Sequence, residues 1–190
     1  MVTTLTKNLS FEEYLNYDDG LGLKYELVDG KLEIINPPKI EHFLIVNFLD
    51  TTLTAEIKRL TLSWLCFRET GVRTGRNKSR LSDLSVVTLE DAKELQNASA
   101  VFQSPPLLIV EVVSPESVKR DYRYKRSEYA ALGVCEYWIV DPLEFKISVL
   151  FLEEGLYEDT VFTANQKIRS RTFPELNITV EQVFNAGNLP

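Results

Sequence analysis

Two acidic residues stand in segments that are otherwise apolar. The segment "PPLLIVEVVSPES" covers residues 105–117, and Glu111 interrupts its run of aliphatic side chains. Asp83 opens "DLSVV", a second segment with the composition of a buried strand, 28 positions earlier. A carboxylate that is ionised and buried alone is costly, so each of these acids must be paired, protonated or bound to a cation.

An ion pair with a nearby Lys or Arg would explain Glu111 by itself. Two carboxylates at one height on adjacent strands are harder to explain in this way, because their repulsion is costly without a divalent cation. Magnesium prefers oxygen ligands of this kind. The sequence therefore predicts a site for Mg²⁺ or Mn²⁺ held by Asp83, Glu111 and the main-chain carbonyl of Val112.

The elements that would position these acids follow from periodicity and turn residues. Asp29-Gly30 lies between two alternating segments and predicts a hairpin. Apolar residues at three- and four-residue steps predict a helix over residues 40–60, with Phe43 on its buried face. The strand "LLIVEVV", a helix through "RDYRYKRSEYAAL" ending at Gly133 and the strand "CEYWIVD" predict a parallel crossover. The class is α/β, with a mixed sheet covered on both faces.

Composition limits the remaining choices. The 190 residues suit one domain over 1–190, and 44% hydrophobic with 26% charged residues is typical of a soluble globular protein. No apolar run has the roughly 20 residues of a membrane helix, and the N-terminus has no export pattern, so we expect a cytoplasmic protein without membrane partners. The net charge of -7 means that binding to nucleic acid would need a local basic patch.

Longer motifs carry a resemblance to a known family. The segments "YELVDGKLE", "SDLSVV", "PPLLIVEVVSPES", "DYRYKRSEYAALGVCEYWIVDP" and "FPELNITVEQVF" look like the Uma family of putative restriction endonucleases, from about residue 10 to residue 184. "SD" and "EVV" likewise resemble the core of the PD-(D/E)XK nuclease superfamily. The resemblance implies a restriction-endonuclease-like core, with a mixed central sheet flanked by helices and additional antiparallel hairpins. It also implies DNA as the substrate.

The chain departs from the superfamily pattern at two positions. Ser82 replaces a proline that supplies no ligand, whereas Val113 stands where a lysine would point at the attacking water. The resemblance implies that Lys125, on the following helix, takes over this function and that Glu26 is an additional active-site acid and metal ligand. From the residues alone, Lys125 could instead form a surface pair with Asp121, and Glu26 could be an exposed strand residue.

Several further residues have both a functional and a structural interpretation. His42, the only histidine, is either near the cleft, as the resemblance implies, or a helix cap or core residue. Tyr129 would bind a phosphate or pack on the sheet. Two basic clusters flank the acids and predict the walls of a phosphate-binding groove, unless they are solvated faces. They contain Arg73, Arg76, Lys78 and Arg80, and Lys119, Arg120 and Arg123.

Together these observations predict a metal-dependent DNA endonuclease that uses Asp83, Glu111, Glu26 and Lys125. The alternative is a catalytically inactive nucleic-acid-binding or regulatory module on a nuclease scaffold, which the valine at position 113 favours. Retention of three candidate acids argues against that alternative. Glycoside hydrolysis is a poorer interpretation, because no aromatic-rich sugar cleft is indicated. Proteins of this fold commonly act as dimers, so the resemblance allows a homodimer, although the sequence gives no interface signal.

Overall fold

A computed structural model describes residues 8–189, and within this range nine strands form one sheet. The strands are β1 (Lys24–Val28), β2 (Lys31–Ile35), β3 (Trp64–Gly75), β4 (Lys78–Thr88), β5 (Val101–Phe102), β6 (Leu108–Val112), β7 (Glu136–Asp141), β8 (Lys146–Glu153) and β9 (Leu156–Thr163). Their order is β2-β1-β4-β6-β7-β8-β9, with β3 paired to β4 and β5 to β3. Most pairs are antiparallel, whereas β6 and β7 run parallel, as do β3 and β5.

Helices lie before the first strand, between strands and after the last strand. They are α1 (Phe11–Leu15), α2 (Ile40–Arg59), α3 (Leu89–Glu94), α4 (Arg126–Leu132) and α5 (Val180–Asn185). A capping box of Ser10 and Glu13 begins α1, and Gly133, with φ of 94°, ends α4 in the left-handed conformation that glycine tolerates best. No helix in residues 8–189 is long and apolar enough to cross a membrane.

Both faces of the sheet are covered, as predicted. Leu108, Val110 and Val112 of β6 belong to a core that includes residues of α2 and α5. Ile109 and Val113 belong to a second core with Tyr129 of α4. Because successive side chains of a strand point to opposite faces, Glu111 shares the second face with Ile109 and Val113. The observed class is the mixed α/β fold that the sequence predicts.

The crossover between β6 and β7 differs from the predicted α-helix. Its first half, Arg120–Lys125, is a π-helix that continues directly into α4. The hydroxyl of Tyr137 on β7 donates to the main-chain carbonyl of Asp121 at 3.2 Å, so the sheet itself binds the widened turn. Helical periodicity does not reveal such a turn, because the apolar spacing of three and four residues fits both helix types approximately.

Strand β4 makes the opening that matters most for the site. Strand β3 pairs with β4 along nearly its whole length and occupies one of its edges. The other edge pairs with β1 at Ser79 and with β6 only from Leu84 onward. Within the described residues, this second edge of β4 therefore has no paired strand between Ser79 and Leu84. Strands β1 and β6 diverge there and leave a gap in the sheet.

Candidate active site

Side chains close the gap between β1 and β6. Glu26 of β1 accepts a hydrogen bond from the Leu81 main-chain N–H through Oε1 at 3.1 Å, and Lys125 Nζ donates to the Leu81 carbonyl at 2.7 Å. Asp83 Oδ2 accepts from the Val112 N–H at 2.7 Å, just beyond the last β4–β6 ladder pair. These side chains occupy the places of ladder partners, so the backbone fixes their positions.

Lys125 lies at the centre of this cluster and is 2% exposed. Its Nζ is 2.7 Å from Glu111 Oε2, 3.4 Å from Glu26 Oε1 and 3.9 Å from Asp121 Oδ1. Burial alone would lower the pKa of Lys125, but the three carboxylates raise it above its usual value, which keeps the ammonium charged. The structure thus brings Lys125 to the acids from the π-helical segment. The contact between Lys125 and Asp121 is buried, so the interpretation of it as a surface pair is wrong.

The carboxyl group of Glu111 has a raised pKa. Burial raises its pKa to about 8, opposed by Lys125 and reinforced by the charges of Asp83 and Asp121. The hydroxyl of Tyr129 donates to Glu111 Oε1 at 2.8 Å. Tyr129 is fully buried, so of its two interpretations the structure supports packing, and contact with a phosphate is excluded in this conformation.

Asp83 is held from the opposite side by His42, in the first turn of α2. The His42 Nε2 atom is 3.1 Å from Asp83 Oδ2. Although burial opposes it, the hydrogen bond and charge of His42 lower the pKa of Asp83, and Asp83 in turn raises the pKa of His42. His42 therefore lies at the cleft, where its imidazole orients Asp83.

Glu26 is fully buried, and the interpretation of it as an exposed strand residue is wrong. Its Oε2 accepts from Arg80 Nη1 at 2.9 Å, and Arg80 also forms a two-pronged pair with Glu128 at 2.8 and 2.7 Å. Burial would raise the pKa of Glu26, but Lys125 and Arg80 lower it. Arg80 is 2% exposed, so its predicted contact with nucleic acid is wrong. Its guanidinium is bound by these two acids.

The other predicted basic residues lie in different places. Arg120 lines the cleft. Arg73 stacks over the Phe11 ring at 4.0 Å and Lys78 pairs with Asp29, so neither extends freely towards the acids. Three more lie outside the residues that line the cleft: the exposed Arg76, Lys119 and Arg123. The two predicted clusters therefore do not form one continuous groove.

A cavity of about 640 Å³ opens above the cluster. Its floor carries the site acids and Lys125, and its mouth contains cations and apolar side chains that the sequence did not assign to the site: Lys24, Lys39, Leu23 and Phe43. Phe43 is 46% exposed, so its predicted place on the buried face of α2 is wrong. The first turn of α2 lies beside the gap, where Phe43 faces the cavity instead of a strand.

The donor set fits a hard divalent cation in its chemistry. Glu26, Asp83, Glu111 and Asp121 all line the cavity, and Asp121 Oδ1 is buried without a hydrogen-bond partner within the described part of the chain. Carboxylate oxygens of this kind are the ligands that Mg²⁺ takes. Across residues 8–189, no group of three acidic, histidine or cysteine side chains has the arrangement of a metal site. Lys125 stands between Glu111 and Glu26.

Comparison with known proteins identifies the family of the chain. The Uma2 family, described as "Putative restriction endonuclease", matches residues 11–181, which is most of the chain. The chain belongs to the Uma2 family. The resemblance to Uma proteins inferred from the motifs is thereby confirmed. No curated protein matches the chain significantly.

Two solved structures are similar to this Uma2 protein to different degrees. A crystal structure titled as a putative nuclease belonging to DUF820, from Anabaena variabilis ATCC 29413, superposes with a TM-score of 0.79. It is 19% identical, and the match covers 95% of this chain and 99% of the other. The type IIG restriction endonuclease BpuSI matches with a TM-score of 0.41 and 12% identity, over 80% of this chain and 17% of its own. The first match confirms that this mixed α/β fold occurs in a solved structure.

Proposed function

We propose that this Uma2 protein hydrolyses phosphodiester bonds of DNA with Mg²⁺ or Mn²⁺. The observation that carries the proposal is the convergence of Asp83, Glu111, Glu26 and Lys125 in the gap between β1 and β6. These residues come from three strands and the π-helical segment. Membership in a family of restriction-endonuclease-like proteins supports the same reaction class.

Each side chain has a role in this reaction. Asp83, Glu111 and the Val112 carbonyl would hold the ion, with Glu26 completing the site. A bound divalent ion polarises a phosphoryl oxygen and lowers the pKa of a water. Lys125 donates hydrogen bonds from an ammonium that its neighbours keep charged, so it can orient the attacking water and stabilise negative charge. Tyr129 and His42 fix the carboxylates of Glu111 and Asp83.

Calorimetric titration with Mn²⁺ and Mg²⁺, together with a DNA cleavage assay, tests the proposal. Asp83→Asn and Glu111→Gln should abolish metal binding and reduce cleavage by at least about 10²-fold, because each removes a ligand charge. Glu158→Gln, on the exposed face of the edge strand β9, is the matched control and should behave as wild type. Lys125→Met should retain metal binding and lose cleavage.

The catalytically inactive module remains the competing candidate. The observation in its favour is that the Lys125 ammonium already neutralises part of the acidic cluster at 2.7 Å. It would be supported if the wild-type protein bound DNA but neither metal, and if Asp83→Ala and Glu111→Ala left the free energy of unfolding unchanged or raised it. That combination of results would contradict the nuclease proposal.

A further inference from the structure

One wall of the cleft is apolar and open to solvent. Phe43 is 46% exposed and Leu23 is 44% exposed, and both line the cavity that contains the acids, together with Pro37 and Pro38. Large apolar side chains that are exposed at the mouth of a pocket are a feature of ligand-binding grooves. Packing in the core, the role that the sequence predicts for Phe43, does not account for this exposure.

Phe43 lies close to the chemical centre. It follows His42, whose imidazole contacts Asp83 Oδ2 at 3.1 Å, and the His42 and Phe43 ring centroids are 6.3 Å apart at an interplanar angle of 88°. In a nucleotide the base is joined to its phosphate through a single sugar. A phosphodiester at Asp83 and Glu111 therefore carries its own or a neighbouring base towards the wall formed by Phe43 and Leu23.

The charges around the cleft are poorly suited to intact duplex DNA. Duplex binding rests on many phosphate contacts by free Lys and Arg side chains. Besides the buried Lys125, the cations that line the cleft are Lys24, Lys39 and Arg120. Arg80 is buried between two acids and does not line it. The cavity volume of about 640 Å³ lies in the range of roughly 300–1,000 Å³ that encloses a small ligand. One unstacked nucleotide is a ligand of that kind.

We propose that the cleft takes an unpaired nucleotide of DNA and that Phe43 stacks on its base, with Leu23 completing the apolar wall. Phe43 is then a specificity-determining residue that favours single-stranded DNA, or a frayed end, over an intact duplex. Aromatic stacking suits this role because every base has an apolar face and no sequence is required. The inference rests on the proposed function, since it takes the reacting phosphate to lie at Asp83 and Glu111.

Fluorescence anisotropy with Ca²⁺ in place of Mg²⁺ measures binding separately from cleavage. The probes are a labelled single-stranded oligonucleotide and the blunt duplex of the same sequence. The wild-type protein should bind the single strand more tightly. Phe43→Ala should weaken single-strand binding by about 5- to 150-fold, the loss of one stacked base, and Phe43→Tyr should restore it. Phe145→Ala is the control, since Phe145 is 65% exposed but outside the cavity.

The outcomes separate this inference from the proposed function. Equal or tighter duplex binding, no binding of the single strand, or an affinity that Phe43→Ala leaves unchanged would each overturn the unpaired-nucleotide inference. A cleavage assay with Mg²⁺ on the same two probes addresses the reaction: cleavage lost in Asp83→Asn supports the proposed function whatever Phe43 does. A melting curve of Phe43→Ala identical to that of wild type shows that weaker binding comes from the lost ring.

Discussion

At the scale of single residues, Arg80 is a positioning residue buried in the interior. It pairs with Glu26 at 2.9 Å and with Glu128 at 2.7 Å, and both acids are largely buried. Arg80→Met should lower the free energy of unfolding by about 3–5 kcal/mol, because it removes the guanidinium that pairs with two largely buried carboxylates. Urea unfolding measures the loss. The control is Arg76→Met at an exposed turn position, which should change the value by less than about 0.5 kcal/mol. Equal effects would contradict this role.

A second prediction at the scale of single residues concerns how the charge of Lys125 affects the stability gained from a bound metal ion. Lys125→Met keeps much of the side-chain volume but removes the ammonium from among Glu111, Glu26 and Asp121. The variant should unfold at a lower temperature than wild type, and Mn²⁺ should raise its midpoint more than that of wild type. The physical reason is that a bound cation stabilises the folded state most where negative charge lacks a partner.

Thermal melts of wild type and Lys125→Met, with and without Mn²⁺, provide the measurement. Lys119→Met is the control, because Lys119 is exposed and should respond to Mn²⁺ as wild type does. Identical midpoint shifts in Lys125→Met and wild type would show that the ion does not bind at this cluster.

The acids and the lysine could be predicted from the sequence because their types conflict with apolar surroundings or match family motifs. Asp83 and Glu111 each interrupt a run of strand-forming residues, and such a conflict is visible without a structure. Arg80 and Phe43 could not be assigned in this way. Which cation pairs with which acid depends on the gap between β1 and β6, and this gap results from long-range strand pairing that local patterns do not encode.

At the scale of elements, the π-helical segment delivers two charged side chains to the sheet. Asp121 and Lys125 are both buried, and the Tyr137 hydroxyl binds the Asp121 carbonyl at 3.2 Å. A π-helix fixes one residue more per turn than an α-helix at poorer geometry, and such turns are frequent at functional sites. The sequence predicted the position of this crossover and its end at Gly133, but the wider turn depends on Tyr137, which lies beyond it in the chain.

Tyr137→Phe tests the support that β7 gives to this segment. Removal of the hydroxyl should lower the free energy of unfolding by about 0.5–1.5 kcal/mol, the net value of one buried hydrogen bond. It should also reduce any cleavage activity, because Lys125 would be held less firmly. Tyr124→Phe is the control, since Tyr124 is 42% exposed on the same segment. A loss of stability no larger than that of Tyr124→Phe would indicate that the π-helix does not need the bond.

At the scale of the whole molecule, the sheet explains why the site lies where it does. One strand, β4, pairs on one edge with β3 and on the other with two strands that diverge. Antiparallel hairpins and one parallel crossover are each predictable from turn residues and periodicity. Their meeting on a single edge of β4 is not, because it follows from how the two cores pack on opposite faces of the sheet. The homodimer that the resemblance allows stays a prediction, which sedimentation can test.

The cations that line the cleft set the salt dependence expected for the proposed binding of DNA. With a net charge of -7, attraction to phosphates must come from the cations that line the cleft, chiefly Lys39 and Arg120. Counterion release gives a slope of about -0.7 per neutralised phosphate for single strands. Two or three phosphates therefore predict a slope of about -1.4 to -2.1 for the logarithm of the binding constant against that of salt concentration.

Anisotropy titrations over a series of salt concentrations, at a fixed low level of Ca²⁺, measure this slope. Lys39→Met should reduce its magnitude by about 0.7, the contribution of one phosphate, whereas Lys93→Met, exposed on α3 and outside the cavity, should leave it unchanged. A wild-type slope steeper than about -5 would mean contact with six or more phosphates of a duplex. Such a slope would require further phosphate contacts outside the cleft, for which Arg76, Lys119 and Arg123 are exposed, and would make the cleft only part of the DNA-binding face.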